Sequence, residues 1–145
     1  MLLMLLGMID LGRAFVYGVS AQEGARQAAR LAATAVYDGS VDEQAVLGRL
    51  VAASNPALTG CSPVTPTQSC GSGTWTLSMK VVDGASTYTG STAIADARAA
   101  NMLAGATVTI TSSGSVALFP GVNTGANGLT LGQIAVQGKA AMVVL

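Results

Sequence analysis

The sequence predicts an α+β protein in which a long apolar N-terminal helix and a second short helix pack on an antiparallel β-sheet head. Three observations carry this. Residues 1–37 contain no proline and only five charges, Asp10, Arg13, Glu23, Arg26 and Arg30. From Thr74 onward the apolar residues recur with a period of two, the signature of a half-buried strand. Clusters of Gly, Asn, Pro and Ser divide the second part of the chain into short segments. Helix first and strands later favour a sheet packed against the C-terminal part of the helix. The division expected is residues 1–37 as an apolar helix that needs a membrane or copies of itself and 38–145 as a β-rich head.

The leading helix opens with an unbroken apolar block, Met1 to Ile9, and continues into an Ala/Gly-rich stretch ending near Tyr37. At 1.5 Å per residue such a rod is about 55 Å long. Helices of soluble domains average about 11–12 residues, so this one needs support along its length. Ala21, Ala25, Ala29 and Ala33 recur every four residues, with Gly24, Ala28 and Ala32 beside them. Small residues at this spacing let helix backbones approach closely. Gly7, Gly12 and Gly18 each weaken a helix by about 1 kcal/mol relative to alanine, a cost that close neighbours offset. Asp10 and Arg13 sit three apart and share a face, as do Glu23 and Arg26. A charge in apolar surroundings demands a partner, within the helix or on a neighbouring subunit.

Asp38-Gly39 breaks the helix. Ser40, with Glu43 three residues on, reads as a capping box opening a helix over residues 41–53, whose apolar face is Val46, Leu47, Leu50 and Val51. Asn55-Pro56 stops it. Residues 55–73 are expected to be a loop. Trp75, Leu77, Met79 and Val81 form the inward face of a strand ended by Asp83-Gly84. Residues 85–92 are turn-like, and 93–103 suit a short helix. Residues 106–111 alternate, with Val108 and Ile110 inward, followed by a long connection over 112–128 that contains an apolar insert, Val116–Pro120. Leu129–Leu145 reads as a terminal strand kinked at Gly132 and Gly138, with Ile134, Val136, Ala140, Met142 and Val144 on one face.

Composition narrows the function. Hydrophobic residues make up 50% and charged residues 10%, against about 25% charged in ordinary soluble domains, which points to surface buried against partners. The formal net charge is zero, so no electrostatic footprint for nucleic acid is present. Histidine is absent, which removes the commonest metal ligand and general base. Two cysteines alone do not complete a tetrahedral zinc site. In an exported protein Cys61 and Cys70 would instead close a short loop as a disulfide. No cofactor is expected. Catalysis has weak candidates: Asp83 and Asp96 as a carboxylate pair, or Ser78 with Lys80, each more simply read as a turn acid, a solvated acid and a polar strand face. Trp75 and Tyr88 would make an adhesive patch only if exposed, and the phase of Trp75 places it inward. Ser62–Ser69 and Ser86–Thr92 are hydroxyl-rich, suited to O-linked sugar or to simple loops.

The uninterrupted apolar block is shorter than the roughly 20 residues a spanning helix needs. No basic flank precedes it and no small-residue cleavage site follows it, so a processed or trimmed start is expected. Leu2–Phe15, and then Gln22-Glu23-Gly24-Ala25-Arg26-Gln27-Ala28-Ala29-Arg30, resemble the N-terminal signature of TadE-like proteins, pilin-like subunits of tight-adherence (Flp, type IV-like) pilus systems. The likeness is specific over residues 2–33 and looser over 104–145, where Thr107–Thr111, Phe119-Pro120, Leu129-Thr130-Leu131 and Ala140-Ala141-Met142 resemble the family's closing strands. The family's cleavage site and Glu-Phe pair lie upstream of the apolar run, and by spacing would precede Met1. Position 5 is Leu5, where no pilin-type glutamate stands.

The resemblance implies a subunit that waits in the cytoplasmic membrane and then polymerises through its N-terminal helix into an extracellular filament. Its partners would be copies of itself, other pilins and the assembly machinery, with no nucleic acid. The packing residues it points to are Gly7, Asp10, Gly12, Arg13, Phe15, Gly18, Ala21, Glu23, Gly24, Ala25, Arg26, Ala28, Ala29, Arg30, Ala32 and Ala33. A minor pseudopilin that primes assembly, and a plain membrane anchor for a periplasmic domain, are the alternatives.

Overall fold

The computed structural model describes residues 2–39, 41–61, 67–70, 73–100, 105–117 and 133–145. Helix α1 runs over Leu2–Asp38 without interruption, as the proline-free, low-charge sequence predicts. Gly39, at φ 73°, ends it in the left-handed conformation that suits glycine, and its N–H bonds the carbonyl of Ala35 at 3.2 Å. Helix α2 is Glu43–Ala53. Its cap is Asp42, whose carboxylate accepts from the N–H of Ala45 at 2.8 Å. The expected capping box is corrected on the glutamate's side: Glu43 accepts the N–H of Ala95 at 2.7 Å, across to another helix. Ser40 lies outside the described residues.

Strand β1 is Thr67–Cys70, β2 is Gly73–Asp83 and β3 is Ser86–Thr89. Helix α3 follows at Ala93–Ala99, then β4 at Thr107–Ala117 and β5 at Gln133–Val143. Among the described residues all pairings are antiparallel: β1, β2, β4 and β5 lie side by side in that order, with β3 also paired to β2. This is an α+β fold of the predicted type. Two strands, β1 and β3, occupy segments expected to be loop and turn. Strand β4 continues beyond Thr111 because Ser112–Ala117 pair with residues 133–138 of β5. Expectations for 101–104, 118–132 and 62–66 fall outside the described residues.

Inward side chains follow the two-residue period. Trp75, Leu77, Met79 and Val81 of β2 are buried, as are Val108, Ile110 and Val116 of β4 and Val136 of β5. Trp75 is therefore fully buried in the core and Tyr88 is half-buried against that core, so the two do not form an exposed adhesive patch. Val46, Leu47 and Leu50 of α2 and Ala93, Ile94 and Ala97 of α3 join the same core. So does the second half of α1, through Ala21, Ala25, Ala28, Ala29, Ala32, Ala35 and Val36, all fully buried. The core thus reaches well into the segment before residue 37.

Missing side chains explain how closely α1 sits on the sheet. A Cβ on Gly138 of β5 would run into the backbone of Ala21, and it would lie 2.7 Å from the nitrogen of Gln22. A Cβ on Gly24 would meet the Ser54 side chain and lie 2.8 Å from the carbonyl of Leu50 at the end of α2. The small-residue rows bring backbones together here between α1 and its own head.

Candidate functional site

The two halves of α1 have opposite surroundings. After Val19 the helix is docked. Before it, large apolar side chains stand in the open: Leu5 is 63% exposed, Ile9 58%, Leu11 65% and Phe15 72%, with Met4, Met8, Val16 and Val19 similarly bare. Gly7 and Gly12 have nothing within 4 Å of where a Cβ would stand, so the head does not require glycine at either place. Gly18 marks the changeover, with Val136 at ordinary contact distance. By length and composition α1 is apolar enough to cross a bilayer, and only 17% of its most apolar stretch is buried. A core helix of a soluble protein would be mostly covered.

One narrow stripe of the exposed half is polar or small. Asp10 and Ala14 are buried and Tyr17 is half-buried, and with Ala21 they fall on one face at helical spacing. Arg13 Nη1 reaches Asp10 Oδ1 at 3.3 Å, and its guanidinium carbon lies 6.0 Å from the centre of the Tyr17 ring. Asp10 thus has a partner of opposite charge within its own helix. Glu23 and Arg26 approach only to 4.0 Å, both exposed, and Gln27 also donates to Glu23 at 3.1 Å. An exposed pair of this kind contributes at most about 1 kcal/mol.

The predicted packing residues therefore divide. Gly7, Gly12 and Phe15 lie on the bare half; Asp10 and Arg13 form its polar stripe. Glu23, Arg26 and Arg30 lie exposed on the outer flank of the docked half. Ala21, Gly24, Ala25, Ala28, Ala29 and Ala32 are enclosed by the sheet and α2, and Ala33 is half-buried. Ala25 and Ala29 each already fill the head's own core, so a larger side chain at either would disturb the head.

An open trough runs beside α1 along β5, first past Phe15, Val19, Gln22, Arg26 and Gln137, then past Arg30, Ala140 and Met142. Gln22 bridges it. Its side-chain amide donates to the carbonyl of Lys139 at 2.8 Å and accepts the N–H of Lys139 at 3.0 Å. Nothing in the sequence signalled this contact, which joins residues 117 positions apart.

The remaining candidates are dispersed. Ser78 and Lys80 are exposed on the solvent face of β2. Asp83 ends β2, and Asp96 on α3 accepts from the Thr92 hydroxyl at 2.9 Å. Cys61 is half-buried against the core after α2, and Cys70 ends β1.

Residues 1–30 match the family model for TadE-like proteins. The match spans the bare half of α1 and the first turns of its docked half. Together with the apolar leading helix it suggests membrane anchoring. No curated protein and no solved structure matches the chain.

Proposed function

We propose that this chain is a structural, pilin-like subunit that polymerises through its N-terminal helix into an extracellular Tad filament. The observation that carries the reading is the bare apolar half of α1 projecting from a folded head. Covering its partly exposed Met, Leu, Ile, Phe and Val side chains is worth on the order of 10 kcal/mol in total. Lipid supplies that cover while the subunit waits in the cytoplasmic membrane, and the helices of neighbouring copies supply it in the filament. Both environments are apolar, so one surface serves both stages. Contacts that do not close on themselves extend into an open fibre. In this division the inserted part is the leading helix and the exported part is the head, and no chemistry or cofactor is assigned to either. A disulfide between Cys61 and Cys70 would close the segment between α2 and β2, a bond suited to an exported head.

A second reading, a minor pseudopilin that primes assembly, is favoured by the TadE-like match itself. The low-charge head favours the main building block. Electron microscopy of sheared surface appendages, with identification of their peptides, distinguishes the two. The main-subunit reading predicts this chain as the dominant protein along the fibre. Trace amounts in fibres made of another protein would establish the minor role, and its absence from every fibre would leave a membrane anchor.

A further inference from the structure

The bare half of α1 sets the height of the head above a bilayer. Leu2 to Val19 spans about 27 Å at 1.5 Å per residue, close to the roughly 30 Å hydrocarbon core of a membrane. With that half immersed, Val19 stands at the hydrocarbon edge. Arg26 and Arg30 follow at about 10 Å and 17 Å above it along the same axis. Helical side chains lean toward the N-terminus, which here is toward the lipid. Headgroups occupy about 5–8 Å on each side of the core. The leaning Arg26 guanidinium therefore reaches their level, and Arg30 stands one turn above on the same face.

The trough between α1 and β5 opens at this level. Its lower mouth is Phe15, Gly18 and Val19, continuous with the bare half, and Arg26 and Gln137 line it higher up, followed by Arg30. Both arginines are exposed, and among the described residues Arg30 has no acid within ion-pair distance. Glu23 lines the same wall, but it is engaged by Arg26 at 4.0 Å and by the Gln27 amide at 3.1 Å. Guanidinium forks are suited to phosphate oxygens, and the apolar slot beneath them is suited to a hydrocarbon chain. A free anion would leave that slot bare, and an apolar helix laid there would leave Arg30 without a counter-charge. We propose that the trough seats one anionic phospholipid of the membrane, its phosphate held by Arg26 and Arg30 and one acyl chain laid along Phe15, Gly18 and Val19. The inference rests on the membrane stage of the proposed function and adds a lipid class to it. An occupied seat fixes how deep the rod sits and how far the head stands from the surface.

The test uses the full chain in phosphatidylcholine vesicles carrying a trace of phosphatidylglycerol with a photoreactive diazirine on its acyl chain. Adducts on Phe15 and Val19 are located by peptide mass spectrometry. Unlabelled phosphatidylglycerol should displace them at a concentration about fivefold or more below that needed of phosphatidylcholine. Arg26→Gln combined with Arg30→Gln should abolish this difference, whereas Arg49→Gln, exposed on α2, should keep it. Flotation of the vesicles reports insertion separately. A chain that floats with them yet is displaced equally by both lipids overturns the seat and leaves the membrane stage standing, as does a preference that survives in the double variant. A chain that does not float overturns both. Displacement by inorganic phosphate at the concentration effective for phosphatidylglycerol would make the occupant a free anion and overturn the lipid assignment.

Discussion

Replacing Gly138 by alanine would drive a methyl group into the backbone of α1. The added carbon meets the carbonyl of Ala21 and the nitrogen of Gln22, main-chain atoms that no rotamer change can move aside. The helix must lift from β5. Overpacking of a well-filled interface costs about 1–3 kcal/mol, and rigid backbone places this site at the upper end. Lifting also breaks the two bonds between Gln22 and Lys139, worth about 0.5–1.5 kcal/mol each. Alanine returns about 0.5–1 kcal/mol through its smaller loss of chain entropy. The net loss is about 4 kcal/mol, a large part of the roughly 5–15 kcal/mol that separates folded from unfolded domains. With a urea dependence of about 2 kcal/mol per molar, the unfolding midpoint of the micelle-bound chain should fall by about 2 M. Gly48→Ala is the control. Nothing lies within 4 Å of the new carbon inside α2, and relief of the glycine penalty should raise the midpoint by about 0.5 M. A Gly138→Ala midpoint within about 0.3 M of the parent would refute the claimed close approach of α1 and β5.

Ala25→Leu should destabilise the head by about 1–3 kcal/mol, because Ala25 is fully enclosed, whereas Phe15→Ser should leave head unfolding unchanged and weaken membrane retention; denaturant titration beside a membrane-extraction assay tests the pair. Arg13→Ala should impair assembly more than Arg49→Ala, since Arg13 pairs with the buried Asp10 on the polar stripe of the bare half; equal filament yields would remove that role. Asp42→Ala should cost about 1 kcal/mol through loss of the α2 cap, read as a lower unfolding midpoint. Non-reducing mass spectrometry of the exported protein should find Cys61 joined to Cys70, and two free thiols would dismiss the disulfide.

Legibility in the sequence followed physical range. The leading helix was readable because nothing in residues 1–37 interrupts it, and β2 because Trp75, Leu77, Met79 and Val81 alternate cleanly with polar residues. Strands β1 and β3 were not, since Thr67–Cys70 and Ser86–Thr89 lack an apolar stripe and exist by pairing with the two ends of β2. The turn at Gly84, with φ 48°, carries the chain straight back into β3, a hairpin marked in sequence only as a strand end. Alanine spacing announced close packing and left its partner open, because a four-residue row suits a helix neighbour and a sheet equally. Gly138 read as a kink and proved to be where α1 settles. Glu43 read as one half of a local box and instead ties α2 to α3. The docking of the sheet on the C-terminal part of α1 was legible from the order of helix and strands, whereas the place of the changeover, near Gly18, was not, since leucine-rich and alanine-rich stretches are both apolar.

The central claim is that the bare half of α1 is covered first by lipid and then by sister helices. Thiol labelling of Phe15→Cys, compared with Thr87→Cys on the exposed head, tests it most directly. The account predicts that position 15 is protected from a water-soluble reagent both in membranes and in assembled fibres, while position 87 reacts in each. Equal reactivity of the two positions in fibres would contradict it.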